Sequence, residues 1–304
     1  ILLQSVLATR THTNLIIVPD GLLYFLPFDT LRDSTSSFLV ESHTISYEPA
    51  MTVLDVLRTR KEKNKPQRSF LGVGDVPYQD QGNISPELPK PEGILQAVSR
   101  GLSDTFATPL YDLPQTRAEV LGANKILGNN GVVLLGSHAT EAAFESEPLA
   151  NFRIVHLAVH GFADSRFPER SGLVLGIDHA SRDNGLLQIP EIMRLHFNAD
   201  LVTLSACDTG VGKVEGEEGI TNLAEAFLVS GAKSVVASLW SADDTFTSAL
   251  MKRFYTHLAQ GEDKATALRE AKLDLLAKYG TQVSPYYWGA FVLIGDGGSP
   301  IPLN

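Results

Sequence analysis

The chain of 304 residues has one cysteine, Cys207, so no disulfide can form within it, and a lone thiol fits a reducing compartment. It has no apolar run near the roughly 18 residues a membrane span requires, and Gly, Pro or charge interrupts every apolar stretch. Basic residues are in deficit, 25 Lys and Arg against 35 Asp and Glu, and the net charge of −10 repels a phosphate backbone. Nucleic acid is therefore excluded as the direct partner, a membrane is excluded as the site of action, and the cytoplasm is the expected location. The sequence also lacks His-Glu-x-x-His, Gly-x-Ser-x-Gly and any cysteine cluster, which removes zinc and serine hydrolase chemistry. Gly72-Val-Gly74 is followed by Asp-Val-Pro rather than a helix, so it is no dinucleotide fingerprint. No calcium-binding loop is present either. Neither a metal nor a cofactor is expected. The chain begins at Ile1 rather than Met, and the expectation is that it is the C-terminal part of a longer protein.

What is present is a soluble α/β pattern. Asn14 to Val18 and Leu22 to Leu26 flank Pro19-Asp20-Gly21 and read as an antiparallel ribbon. A strand near His43 to Tyr47 and a helix from Pro49 to about Lys61 complete a first segment, residues 1–65, set against a core over 66–304. Strands are expected at Phe70 to Gly74, Val132 to Leu135, Arg153 to Val159, Gly172 to Leu175, Asp200 to Ser205, Ser234 to Ser238 and Ala290 to Ile294. Their near-continuous Val, Ile, Leu and Ala predict a mostly parallel sheet buried on both faces and flanked by helices. Helices are expected at Arg117 to Leu127, from Glu141 with Thr140 as its cap, and along Phe246, Leu250, Phe254 and Leu258.

Two strand ends carry chemistry. Ile154-Val-His-Leu-Ala-Val-His160-Gly161 brings a histidine to the end of an apolar run, and Leu201-Val-Thr-Leu-Ser-Ala-Cys207 does the same with the cysteine. In an open parallel sheet, functional groups gather outside the carboxyl ends of the strands, so both side chains leave the same edge. An imidazole beside a thiol can take its proton and return it to a leaving amine, which is sufficient for acyl transfer. The amides of Gly161 and Cys207 are candidate donors to the oxyanion.

Ser205-Ala-Cys-Asp-Thr-Gly210, Glu215-Gly-Glu-Glu-Gly-Ile220, Leu223-Ala-Glu-Ala-Phe-Leu228, Gly231 through Trp240 and Pro285-Tyr-Tyr-Trp-Gly-Ala-Phe291 together resemble the CHAT family of caspase-like peptidases. The likeness extends upstream through Ile17-Val-Pro-Asp-Gly21, Leu26-Pro-Phe28, Leu113 to Val120 and His156 to Gly161. It implies a caspase-like fold, a Cys207–His160 dyad with the base upstream of the nucleophile, and an upstream tetratricopeptide repeat region as regulator or partner. The implied protein is a bacterial cysteine endopeptidase acting on a protein substrate. Several acids and no Arg or Lys adjoin the dyad, so the expected P1 residue is Arg or Lys. Its S1 carboxylate is sought among Asp208, Asp164, Glu215, Glu217 and Glu218. The alternative is a catalytically silent caspase-like module that binds protein partners.

Overall fold

The computed structural model describes residues 13–60, 65–78, 110–162, 167–178, 180–181, 183–205, 219–240, 242–280 and 282–303. The elements that build the main sheet are β1 (Asn14–Ile17), β2 (Thr44–Tyr47), β3 (Arg68–Gly74), β4 (Val132–Leu135), β5 (Phe152–Leu157), β9 (Leu201–Leu204), β10 (Ser234–Ser238) and β11 (Phe291–Gly295). Their order across the sheet is β1-β2-β11-β10-β9-β5-β3-β4. β4, β3, β5, β9 and β10 run parallel to one another, β11 is antiparallel to β10, and β2 and β1 follow the direction of β11. The last strand thus inserts between the first two and the rest. A separate three-stranded antiparallel sheet holds β6 (His160–Phe162), β7 (Gly172–Val174) and β8 (Leu186–Gln188).

The helices are α1 (Met51–Thr59), α2 (Thr116–Ile126), α3 (Glu141–Ser146), α4 (Ile189–Ile192), α5 (Gly219–Ser230), α6 (Asp244–Ala259), α7 (Lys264–Tyr279) and α8 (Pro285–Trp288). Alternation along the strands divides the interior in two. Val155, Leu157, Val202 and Leu204 face Phe144 of α3 and Phe227 of α5. Ile154, Leu201 and Val236 face Val120 of α2, Phe254 of α6 and Leu268 of α7. Burial on both faces explains why the strand sequences show no polar alternation. Gly72 is needed where α2 crosses β3, because a Cβ there would lie 2.6 Å from Val120 Cγ1. The expected cap of α3 is present, with Thr140 Oγ1 accepting from Ala143 N.

The antiparallel ribbon does not form. β1 pairs in parallel with β2, and Gly21–Phe25 is a 3-10 turn. The deciding contact is remote in sequence: the Tyr47 hydroxyl accepts from Phe28 N at 2.8 Å and donates to Leu26 O at 3.0 Å, pulling the turn onto β2. The apolar run Gly172 to Leu175 forms a strand, but of the small sheet, where Gly172 packs on the Leu187 backbone. β5 also ends sooner than its apolar run, at Leu157, and His160 opens β6.

Charge collects at the edge of the sheet opposite the carboxyl ends of β5 and β9. Asp200 pairs with Arg153 at 2.9 Å and Lys233 at 2.8 Å, stapling the amino ends of β5, β9 and β10 together. Nearby, Glu48 is 1% exposed and neither carboxylate oxygen has a hydrogen-bond partner among the described residues. Burial first, and then Asp296, push its pKa from the ordinary 4.5 to about 7, with Arg58 opposing. The folded protein therefore keeps a proton that the unfolded chain releases, and stability from this group declines as the pH rises from about 4.5 to about 7. Glu48→Gln should gain stability relative to the wild type at pH 8 and lose that gain at pH 4. Denaturant midpoints of both proteins at the two pH values check this.

Candidate active site

β5 and β9 lie side by side with His156 opposite Thr203 and Leu157 opposite Leu204. The ladder continues one residue further, Ser205 N donating to Leu157 O at 3.0 Å. Ser205 is buried, and its Oγ has no partner among the described residues. Cys207 and the acids Asp208, Asp164, Glu215, Glu217 and Glu218 lie outside the described residues. Of the residues singled out from sequence, the structure describes His160 and Gly161, adjacent in β6 and opposite Val174 and Leu173.

His160 is 1% exposed. Tyr78 holds its backbone: the phenol accepts from His160 N at 3.0 Å and donates to Val174 O at 2.8 Å, bridging β6 and β7. The two rings also pack at 4.5 Å between centroids. On the imidazole itself, Nε2 lies 2.6 Å from the carbonyl oxygen of Tyr111. A carbonyl only accepts, so Nε2 carries the hydrogen and Nδ1 of the neutral ring carries the lone pair. That Nδ1 is buried and has no hydrogen-bond partner among the described residues. Burial lowers the pKa of His160 below the usual histidine value, against the opposing pull of the Tyr111 carbonyl and Asp112. The ring is thus a neutral base with a fixed tautomer at neutral pH.

The segment between Leu110 and α2 joins this ring to the next strand's exit. Gln115 N donates at 3.2 Å to Oδ2 of Asp244, the first residue of α6. Burial raises the pKa of Asp244, with Glu119 and Asp243 adding to the effect. Trp240, just beyond β10 on the same edge, stacks on Tyr286 at 6.3 Å. Asp112 and Asp244 are therefore two acids of this edge that sequence reasoning did not assign to substrate binding. Tyr78 and the Tyr111 carbonyl were also missed. The carbonyl leaves no residue-type signature, and Tyr78 sits beside Pro77 in a stretch that reads as loop.

A model of the CHAT domain matches residues 1–296, and the chain belongs to the CHAT domain family. Tetratricopeptide repeat protein 28 of Mus musculus is 24% identical over 325 residues, and its Homo sapiens counterpart is 24% identical over 326. Each alignment covers 96% of this chain, which spans only 12% of the relative's length. Among solved structures, the Saccharomyces cerevisiae separase–securin complex is similar with a TM-score of 0.49 and 14% identity, over 90% of this chain and 15% of that one. The Arg-specific cysteine proteinase gingipain R is similar with a TM-score of 0.48 and 9% identity, over 86% and 56% respectively. Among the described residues no helix is long and apolar enough to cross a membrane. No group of three or more metal-ligating side chains occurs among them.

Two outcomes are expected from the His160 environment. Its imidazole should titrate below 6.5 in NMR spectra of the folded protein, and its share of stability should be present above pH 6.5 and lost as the pH falls below it, because the unfolded chain binds that proton first. Tyr78→Phe leaves His160 N and Val174 O without their partner and should cost about 1–3 kcal/mol in chemical denaturation, since both groups are buried.

Proposed function

We propose that this CHAT domain is a caspase-like cysteine endopeptidase with Cys207 as nucleophile and His160 as general base. The observation that carries the reading is the hydrogen bond from His160 Nε2 to the Tyr111 carbonyl, which leaves a basic Nδ1 without a partner among the described residues, at the edge where β5 and β9 end. A buried imidazole held in one tautomer, with its lone pair unpaired among the described residues, supports a role as base beyond packing.

In this reading Nδ1 takes the thiol proton of Cys207, and the thiolate sulfur attacks the scissile carbonyl carbon. The amides of Gly161 and Cys207 donate to the oxyanion. The tetrahedral species collapses as Nδ1–H protonates the leaving amine, which departs and leaves a thioester. Water, deprotonated by Nδ1, then attacks the thioester carbon, and the carboxylate product leaves as the thiolate is regenerated and reprotonated. The Tyr111 carbonyl and the charge of Asp112 stabilise the transient imidazolium.

The substrate is a protein, with Arg or Lys at P1. The excess of acids beside the dyad in sequence supports this, as do Asp112 and Asp244 on the same edge. An upstream repeat region is the proposed regulator, supported by the relatives being tetratricopeptide repeat proteins. A single cysteine acting as a thiol nucleophile supports a reducing compartment such as the cytoplasm as its location.

Peptidyl electrophiles bearing Arg, Lys, Asp or Leu at P1 test the proposal on the full-length protein. Labelling by the Arg and Lys probes is expected, abolished in Cys207→Ala and reduced at least about 100-fold in His160→Ala. Absence of labelling by every probe, with the upstream region and a partner present, would leave the silent protein-binding module as the function.

A further inference from the structure

Resting on that reading, we propose that Tyr255, His156 and Glu119 form a buried positioning network that sets the two halves of the dyad relative to each other. His156 and Thr203 are register partners, and each stands four residues before a member of the dyad, His160 and Cys207. One phenol spans both strands. The Tyr255 hydroxyl donates to Thr203 Oγ1 at 2.9 Å and lies 2.7 Å from His156 Nδ1. His156 Nε2 in turn stands 3.0 Å from Oε1 of Glu119, in contact but out of line for a hydrogen bond. His156 and Thr203 are fully buried, and Tyr255 likewise.

The network reaches the site a second time through the helices it joins. Glu119 lies on α2, and the segment entering α2 supplies the Tyr111 carbonyl to His160. That segment is fixed at its other end by Thr116, whose Oγ1 donates to Leu113 O at 2.7 Å and accepts from Asp75 N at 2.9 Å. Tyr255 lies on α6, whose first residue receives Gln115 N. β5, β9, α2 and α6 are thus tied together once through Tyr255, His156 and Glu119 and again through the segment beside His160. A shift of α2 relative to β5 would move the acceptor of Nε2, and a slip of β9 would move Ser205, from which the chain continues to Cys207.

Packing alone does not call for these residue types. Phe70, Val120 and Phe254 surround them, and an apolar trio would fill the space without desolvating a carboxylate. What polar groups add is direction. With the Tyr255 hydrogen given to Thr203, the hydrogen between Tyr255 and His156 belongs to Nδ1 of His156. Each bond fixes one element at one distance, which a hydrophobic contact does not.

Tyr255→Phe removes the hydroxyl and keeps the ring. The expected result is a folded protein whose Cys207 reacts with the Arg probe about 10- to 100-fold more slowly at saturation, with the half-saturating probe concentration unchanged. The ¹⁵N signals of His160 should report a single Nε2–H tautomer in the wild type and a mixture in the variant. Thr203→Val, which removes the same bond from the β9 side, should act in the same direction and decides the matter if Tyr255→Phe does not fold. Wild-type rates together with an unchanged His160 tautomer in the folded variant would overturn the proposal. If the wild type takes no probe at all, the peptidase reading fails, while the His160 signals still decide whether the network positions that ring.

Discussion

The hydrogen bond from His160 Nε2 to the Tyr111 carbonyl sets what this imidazole is able to do. A histidine that is 1% exposed pays for lost solvation with a lowered proton affinity, and left free it would exchange tautomers. The carbonyl removes that freedom and assigns the lone pair to Nδ1. Several described neighbours of the ring help to hold this contact. Tyr78 fixes the backbone of His160 against β7, and the turn before α2 carries the carbonyl, anchored to β3 through Thr116 and to α6 through Asp244.

The sheet makes such an arrangement affordable in a hydrophobic interior. β5 and β9 are held at their amino ends by Asp200 between Arg153 and Lys233, and near their carboxyl ends by Tyr255 between His156 and Thr203. Two apolar layers then press on the strands from either side. Strands fixed at two heights have little room to slide, so the loops that leave their carboxyl ends start from defined points.

The parts of this architecture that were legible from sequence are those decided locally. The runs that became β4 and β10 end where the sequence says they should, and Thr140 caps its helix as its side chain predicts. That the strands preceding His160 and Cys207 belong to one mostly parallel sheet was legible too, because buried parallel strands have a distinctive composition, but their adjacency was not. Other features depend on partners far along the chain. Leu22 to Leu26 has the composition of a strand, yet the Tyr47 phenol, some twenty residues away, draws it into a turn. His156 gives no hint of its role until Tyr255, 99 residues later, is brought to it by α6. The Tyr111 carbonyl is invisible in principle, since every residue carries one.

The insertion of β11 between β2 and β10 governs the order in which the molecule can be assembled during translation. β2 reaches the rest of the sheet only across β11, which is made of residues 291–295. Asp29 likewise waits for Lys272, and the Val40 carbonyl waits for Arg269. A nascent chain emerging amino end first keeps the β1–β2 pair apart from the rest of the sheet until residues 291–295 have left the ribosome. Completion of the sheet is thereby coupled to the emergence of β11, and a chain cut short before β11 has no means of closing it.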